Sequence, residues 1–298
     1  MSVPADVQAL AEQRREARAH KDFAASDALR EELAELGWTV RDTAEGQQLA
    51  PAPPYPVVGS VGELPDRSAE PADHRCTVAL LVDGWPDDLR TCVAALLEHS
   101  PKDVRLLLLD NGLTDADATV HELAAHGRVE ELHVERAAGW AEARNALIRY
   151  ATADVHVLMD LSTVLEGDAL SPLLEAVQHA DAAGWRGVRV EDGWLSFTDS
   201  PPGEVEALLS YLIAVRRTVA LEVPLPAKAR FYRNADMEWS FLLREQGKRL
   251  VAVDVPAHQD RHRGYHDSDP ERRDRESKKT YDRFLQRFRG REDLRLPR

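Results

Sequence analysis

Three apolar runs in this 298-residue chain each close on an aspartate: CTVALLVD on Asp83, VRLLLLD on Asp110 and VHVLMD on Asp160. A carboxylate at a strand's end can accept a hydrogen bond from a ribose hydroxyl or a base N–H, or ligate a cation. It can equally cap the helix that follows or tighten a turn. Between the second and third runs lies GWAEARNALIRY, with Arg144 just inside a helix that opens after Gly139. Free N–H groups at such an opening favour an anion, and a guanidinium adds a planar fork of donors. A surface arginine on an amphipathic helix has the same spacing. Asp236, in NADMEWSFLLREQG, falls in the first turn of another helix. The macrodipole keeps a carboxylate there ionised, which suits a general base acting on a sugar or polyol hydroxyl. Simple capping by Asn234 or Asp236 explains the same residues. His258, His262 and His266 follow at four-residue steps. On a helix they would share one face, but Pro256, Gly264 and Asp267 predict a loop. A three-histidine zinc site is therefore not expected, whereas one histidine touching a diphosphate or its cation is.

The elements that must position these residues alternate. Residues 76–82, 104–110, 129–136 and 155–160 read as strands, and 87–100, 115–127 and 139–152 as the helices between them. That order predicts an α/β fold with a largely parallel sheet and helices on both faces. Ligands of such sheets sit beyond the carboxyl ends of the strands, where the three aspartates fall. Further on, 171–184 reads as a helix, 187–197 as paired short strands, 235–247 as a helix stopped by Gly247, and 270–288 as a charged terminal helix. The segment 5–36 has helical spacing with a break near Asp22 or Ser26, and 50–75 is a proline-rich linker.

A formal charge of −14 opposes binding to nucleic acid or an anionic membrane, so any phosphate site must be a local basic patch. Two cysteines cannot build a disulfide framework. No apolar stretch approaches the roughly 18–20 residues that cross a bilayer, and the N-terminus lacks a signal-peptide core, so a cytoplasmic protein with no membrane insertion is expected.

VALLVDGW, LLLLDNGLTD, GWAEARNALIRYATADVHVLMD and NADMEWSFLLREQGKRLVAV, taken in order, resemble the family-2 inverting glycosyltransferases. The resemblance covers about residues 76–288 and implies the GT-A nucleotide-sugar-binding fold for 76–298. It implies a nucleoside-diphosphate sugar as donor and a hydroxyl as acceptor. Asp83 and Asp110 would bind the nucleotide, with Arg144 flanking it, and Asp160 would touch ribose or a divalent cation. Asp236 would be the base that deprotonates the acceptor. The family's D-x-D is here Asp160-Leu161-Ser162, and a hydroxyl is a poorer ligand for a hard cation than a carboxylate. Magnesium or manganese would then rest on Asp160, Ser162 and a histidine such as His258, with the substrate phosphates. Ala235 and Ser162 also leave open a GT-A domain that binds without catalysing.

EQRREARAHKDFAASDALREELAELGWTVRDTAEGQQL (12–49) is similar to the C-terminal helical segment of cysteinyl-tRNA synthetase, including its closing D-T-x-x-G. It implies a helical hairpin over 1–49. No synthetase catalytic signature is present, so aminoacylation is not expected. RNA contact through Arg14, Arg15, Arg18 and Lys21 is disfavoured by the interleaved Glu12, Glu16, Asp22 and Asp27.

Overall fold

The computed structural model describes residues 3–43 and 46–297; residues 44–45, inside the D-T-x-x-G close, lie outside the described residues. The chain divides into two compact units, Met1–Pro56 and Val57–Arg298.

The first unit is a helical hairpin, α1 (Ala5–Ala19) and α2 (Phe23–Glu35), followed by an antiparallel pair, β1 (Trp38–Thr43) and β2 (Gly46–Pro51). The break falls where expected: Asp22 caps α2 by accepting from the Ala25 amide at 3.0 Å. Val7, Ala11, Leu33, Trp38 and Val40 form its core. Its basic residues are largely engaged internally. Arg14 is buried and donates to both oxygens of Asp42, at 2.9 and 3.0 Å, and to Gln47 at 2.8 Å. Arg18 lies 3.4 Å from Asp42, and Arg15 pairs with Glu12.

The second unit runs β3 (His74–Val82), α3 (Pro86–His99), β4 (Val104–Asn111), α4 (Asp117–Ala124), β5 (Val129–Val134), α5 (Trp140–Tyr150) and β6 (Ala153–Met159). It continues with β7 (Thr163–Leu165), α6 (Leu170–Ala176), β8 (Ala182–Gly184), β9 (Gly187–Val190), β10 (Phe197–Ser200), β11 (Gly203–Glu204), β12 (Ala207–Leu208) and β13 (Leu212–Arg216). It ends with α7 (Arg217–Glu222), α8 (Ala235–Glu245), β14 (Leu250–Ala252), β15 (Ala257–Gln259), α9 (Arg263–His266) and α10 (Pro270–Phe288). The main sheet has the order β11-β14-β8-β13-β6-β3-β4-β5. β6, β3, β4 and β5 are parallel, and β13 inserts antiparallel between β6 and β8.

The expected 171–184 helix is corrected. α6 stops at Ala176, and Ala182–Gly184 is strand β8, buried throughout. Three small residues permit this, because Cβ on Gly184 would sit 2.9 Å from Leu208. The proline-rich stretch is also only partly a linker. From Val57 it belongs to the second unit, with Val58 bridging Val134 and Val61 buried against α5.

Strand alternation splits the core into two layers. Ala79, Leu81, Leu107, Leu109 and Leu158 pack with α5, α7 and α8; Val78, Leu80, Leu106, Leu108, Val157 and Met159 pack with α3 and α6. His156 shares the first layer by parity. It is completely buried, both ring nitrogens lack a partner among the described residues, and burial with Arg144 and Arg217 nearby lowers its pKa to about 3. An unsatisfied buried polar group costs about 1–3 kcal/mol. His156→Leu is therefore expected to raise unfolding free energy by about 1 kcal/mol in a urea titration. A loss of stability would show that the ring has a partner.

Candidate active site

The pleat decides which strand-end residues meet. Val82 pairs with Asp110, so Asp83 comes level with Asn111; Leu80 pairs with Met159, so Asp160 falls level with Leu81, two residues short of Asp83 at the same carboxyl edge. By parity all three face the α5 side, and Asp110 faces the other.

Asp110 is thus corrected as a donor-binding residue. It is fully buried, Oδ1 accepts from the Thr114 amide and hydroxyl at 2.9 and 2.8 Å, and Oδ2 meets His133 at 3.1 Å. The strand-end residue on the cleft face is instead Asn111, which the sequence reading passed over and which holds Asp83. Asn111 Nδ2 donates to Asp83 at 2.8 Å and to the Ala138 carbonyl at 3.1 Å, while its Oδ1 accepts from the Ala138 amide at 2.8 Å. Counting in twos from Leu107 would have found it. Gly112 makes the turn possible: its φ is +111°, and a Cβ there would lie 2.9 Å from Ala137.

Arg144 is corrected in a different way. It offers no fork to a ligand, because the guanidinium is buried beneath the cleft and donates to the Ala79 and Met159 carbonyls at 2.6 and 2.8 Å. Burial lowers its pKa to about 10, while the charges of Asp160 and Asp83 hold the proton on. It is a fixed positive charge under two carboxylates. Their own values diverge. Crowding by protein atoms raises Asp83, opposed by Asn111 and Arg144 and assisted by the like charge on Asp160. Burial would raise Asp160 too, but His262 and Ser162 outweigh it and leave the pKa below the ordinary aspartate value.

Asp160 Oδ1 accepts from the Ser162 amide at 2.9 Å and its hydroxyl at 2.5 Å. Oδ2 lies 2.8 Å from His262 Nε2, at an angle that leaves that nitrogen without an aligned hydrogen bond among the described residues. The ring stacks on Tyr232, centroids 4.3 Å apart, and its Nδ1 accepts from the Tyr265 amide to cap α9. His258 is therefore corrected as the ligating histidine. On β15, Gln259 points to Ser162 (3.2 Å between Nε2 and Oγ). His258, its neighbour, points away to Glu166 and Asp260.

For a divalent cation the fit rests on Asp160, His262 and Ser162. A buried imidazole nitrogen with no aligned bond beside a carboxylate is a suitable pair of donors, with Ser162 Oγ within reach. Among the described residues no three His, Cys, Asp or Glu side chains form a cage, so other ligands would come from substrate phosphates and water.

Asp236 lies in the first turn of α8, buried, with Oδ2 accepting from the Ser210 amide and Oδ1 from the Met237 amide, both at 2.9 Å. Asn234, left-handed at φ 66°, makes no side-chain cap. Burial raises the Asp236 pKa against those hydrogen bonds. Ser210 adjoins Tyr211, whose carbonyl accepts from the Asp160 amide at 3.1 Å, so one turn ties both carboxylates to the same corner.

A cleft on the Asp160 side of that corner is lined by Asp83, Trp85, Asp88, Asp160, His262 and Arg263, with a volume of about 50 Å³. Arg263 closes it, 3.3 Å from Asp88 and over the Trp85 ring at 5.9 Å. Small-molecule pockets measure about 300–1,000 Å³. Asp236 is not among the lining residues.

Residues 84–238 match the model of "Glycosyl transferase family 2". The chain belongs to glycosyl transferase family 2. Glycosyltransferase GlyG of Streptococcus pneumoniae serotype 4 is 27% identical over 93 residues, covering 30% of this chain and 31% of that protein. The fold is that of two solved structures. One, GalNAc-T7 with UDP, GalNAc and Mn2+, has a TM-score of 0.58 at 15% identity, over 72% of this chain and 48% of that one. The other, mannosyltransferase PcManGT from Pyrobaculum calidifontis in complex with GDP-Man and Mn2+, has a TM-score of 0.50 at 16% identity, over 64% and 57%.

Ahead of the family-2 region, residues 2–49 match the "Cysteinyl-tRNA ligase anticodon binding domain". This segment is 54% identical over 50 residues to the cysteine–tRNA ligase of Opitutus terrae, covering 17% of this chain and 11% of the ligase. It is 63% identical over 41 residues to that of Desulfovibrio desulfuricans, covering 14% and 8%. The chain thus spans about a tenth of these ligases and under a third of GlyG. No helix among the described residues is long and apolar enough to cross a membrane.

Proposed function

We propose that the second unit, residues 76–298 in the division read from the sequence, transfers a sugar from a nucleoside-diphosphate sugar to an acceptor hydroxyl with inversion. The observation that carries this reading is the cleft itself. Within a family-2 domain, Asp83 and Asp160 stand at the carboxyl ends of neighbouring strands above the buried Arg144, one pKa raised and the other lowered.

Asp83, held in place by Asn111, would accept hydrogen bonds from the nucleoside, with the Trp85 ring as a stacking face. Asp160, His262 and Ser162 would hold magnesium or manganese, whose charge offsets that building on the departing diphosphate. Arg263 must leave Asp88 to admit the donor. Asp236 takes the proton of the acceptor hydroxyl; the freed oxygen attacks the anomeric carbon from the face opposite the diphosphate, and the carbon–oxygen bond to that group breaks.

Calorimetric titration with UDP, GDP and their sugars, with and without manganese, tests the donor. We expect one nucleotide to bind more tightly with manganese, and Asp160→Asn to remove that enhancement. Failure of every nucleotide to bind would sink the reading. A domain that binds donor without transferring it is the second reading, favoured by the closed cleft and by Ser162. Product formation that Asp236→Asn abolishes rules it out.

A further inference from the structure

We propose that His133 stands as an imidazolium between two carboxylates and acts as a positioning residue for the cleft, holding the turn that carries Asn111. Proton loss from that ring would loosen the donor site.

The register places it. β4 and β5 pair Asp110 with His133, and Glu131 lies two residues back on the same face of β5. His133 Nδ1 is 3.1 Å from Asp110 Oδ2, and Nε2 is 2.9 Å from Glu131 Oε2, with the side chain 1% exposed. Carboxylates only accept hydrogen bonds, and a neutral imidazole carries one N–H. A neutral ring would set a lone pair against a carboxylate oxygen in a dry site; two N–H groups satisfy both contacts. Among the described residues the carboxylates in contact with the ring are Asp110 from β4 and Glu131 from β5. Beyond Glu131, His121 of α4 reaches the same carboxylate at 3.0 Å.

The link to the cleft is covalent and short. Asp110 closes the turn on Thr114, and within it Gly112 and Leu113 both have positive φ, +111° and 50°. A leucine held left-handed needs such a closure. Asn111 then bridges Asp83 and Ala138. The ionisation agrees with the geometry: burial lowers the His133 pKa, but the bonds to Asp110 and Glu131 outweigh it and leave it above the ordinary histidine value. The stability from this group is complete below its unfolded value of about 6.5 and is lost as pH rises through the raised one. Looseness should thus appear on the alkaline side.

Nitrogen-15 NMR of the histidine rings in the full chain is the test. Both His133 nitrogens are expected to be protonated at pH 7. The Asn111 side-chain amide and the backbone amides of 112–114 are expected to shift with the midpoint of His133. A neutral His133 at pH 7, or Asn111 signals that stay flat while the ring titrates, would overturn the proposal. His133→Gln keeps one donor without charge. In it, UDP or GDP affinity is expected to fall about tenfold and to lose its alkaline limb; unchanged affinity and limb count against the relay. Should that variant not fold, the NMR titration of the native chain decides alone. The affinity arm rests on the donor reading above. A protein that binds no nucleotide defeats that reading, and the ring titration still judges His133 independently.

Discussion

Asp236→Asn is expected to lower transfer about 10²–10⁴-fold, the usual contribution of a positioned base, while melting at or above the native temperature. The two outcomes have one cause. Burial raises the Asp236 pKa, so the folded state disfavours the charge that catalysis needs. For a carboxyl with a raised folded value, the stabilising contribution is present below the unfolded value, about 3.9, and is lost as pH rises through the folded one. At neutral pH the ionised group is therefore a net cost to the fold. Asparagine is nearly isosteric, carries no charge and keeps an acceptor for the Ser210 amide; it gives up the acceptor for the Met237 amide, a contact between adjacent residues expected to cost less than the buried charge. Initial rates and thermal melts on one preparation check both. The acid limb of the native pH–rate profile should lie above the ordinary aspartate range, because the base must be ionised to act. A variant that loses activity and also melts much lower would mark Asp236 as structural.

Arg144→Met should be the most destabilising change in the cleft, by about 2–6 kcal/mol in a denaturant titration, the cost of leaving two buried carbonyls without a donor at about 1–3 kcal/mol each. The guanidinium donates to one carbonyl on each of β3 and β6 and lies under Asp83 and Asp160. Methionine fills the space and leaves two carbonyls unpaired and two acids without their cation. Arg144→Lys should recover part of the stability, since an ammonium restores charge but not the geometry of two separated bonds. If Arg144→Met costs under 1 kcal/mol, the guanidinium is not the keystone of the two strands.

The placement of these charges separates what could be read from the chain and what could not. The β-α alternation, the helix stop at Gly247 and the break at Asp22 were legible because they depend on local periodicity and turn chemistry. The order of motifs announced the family. By contrast, 177–184 misled because a run rich in alanine suits a helix by propensity; small size there serves close packing between strands instead. His258 and His262 are four apart, and nothing local separates them. The choice was made by β15 pairing with β7, which turns Gln259 inward and His258 outward.

By itself the sequence determined which strands end in acids, that a family-2 pattern is present, and that a helix would open on Asp236. Only the tertiary structure decided that Asp83, Asn111 and Asp160 share a face, that Arg144 lies below them, and that Asp110 belongs to His133. The reason is the two-residue period of a strand. It fixes the faces as alternating, and leaves to register and to neighbouring strands which of them becomes the cleft.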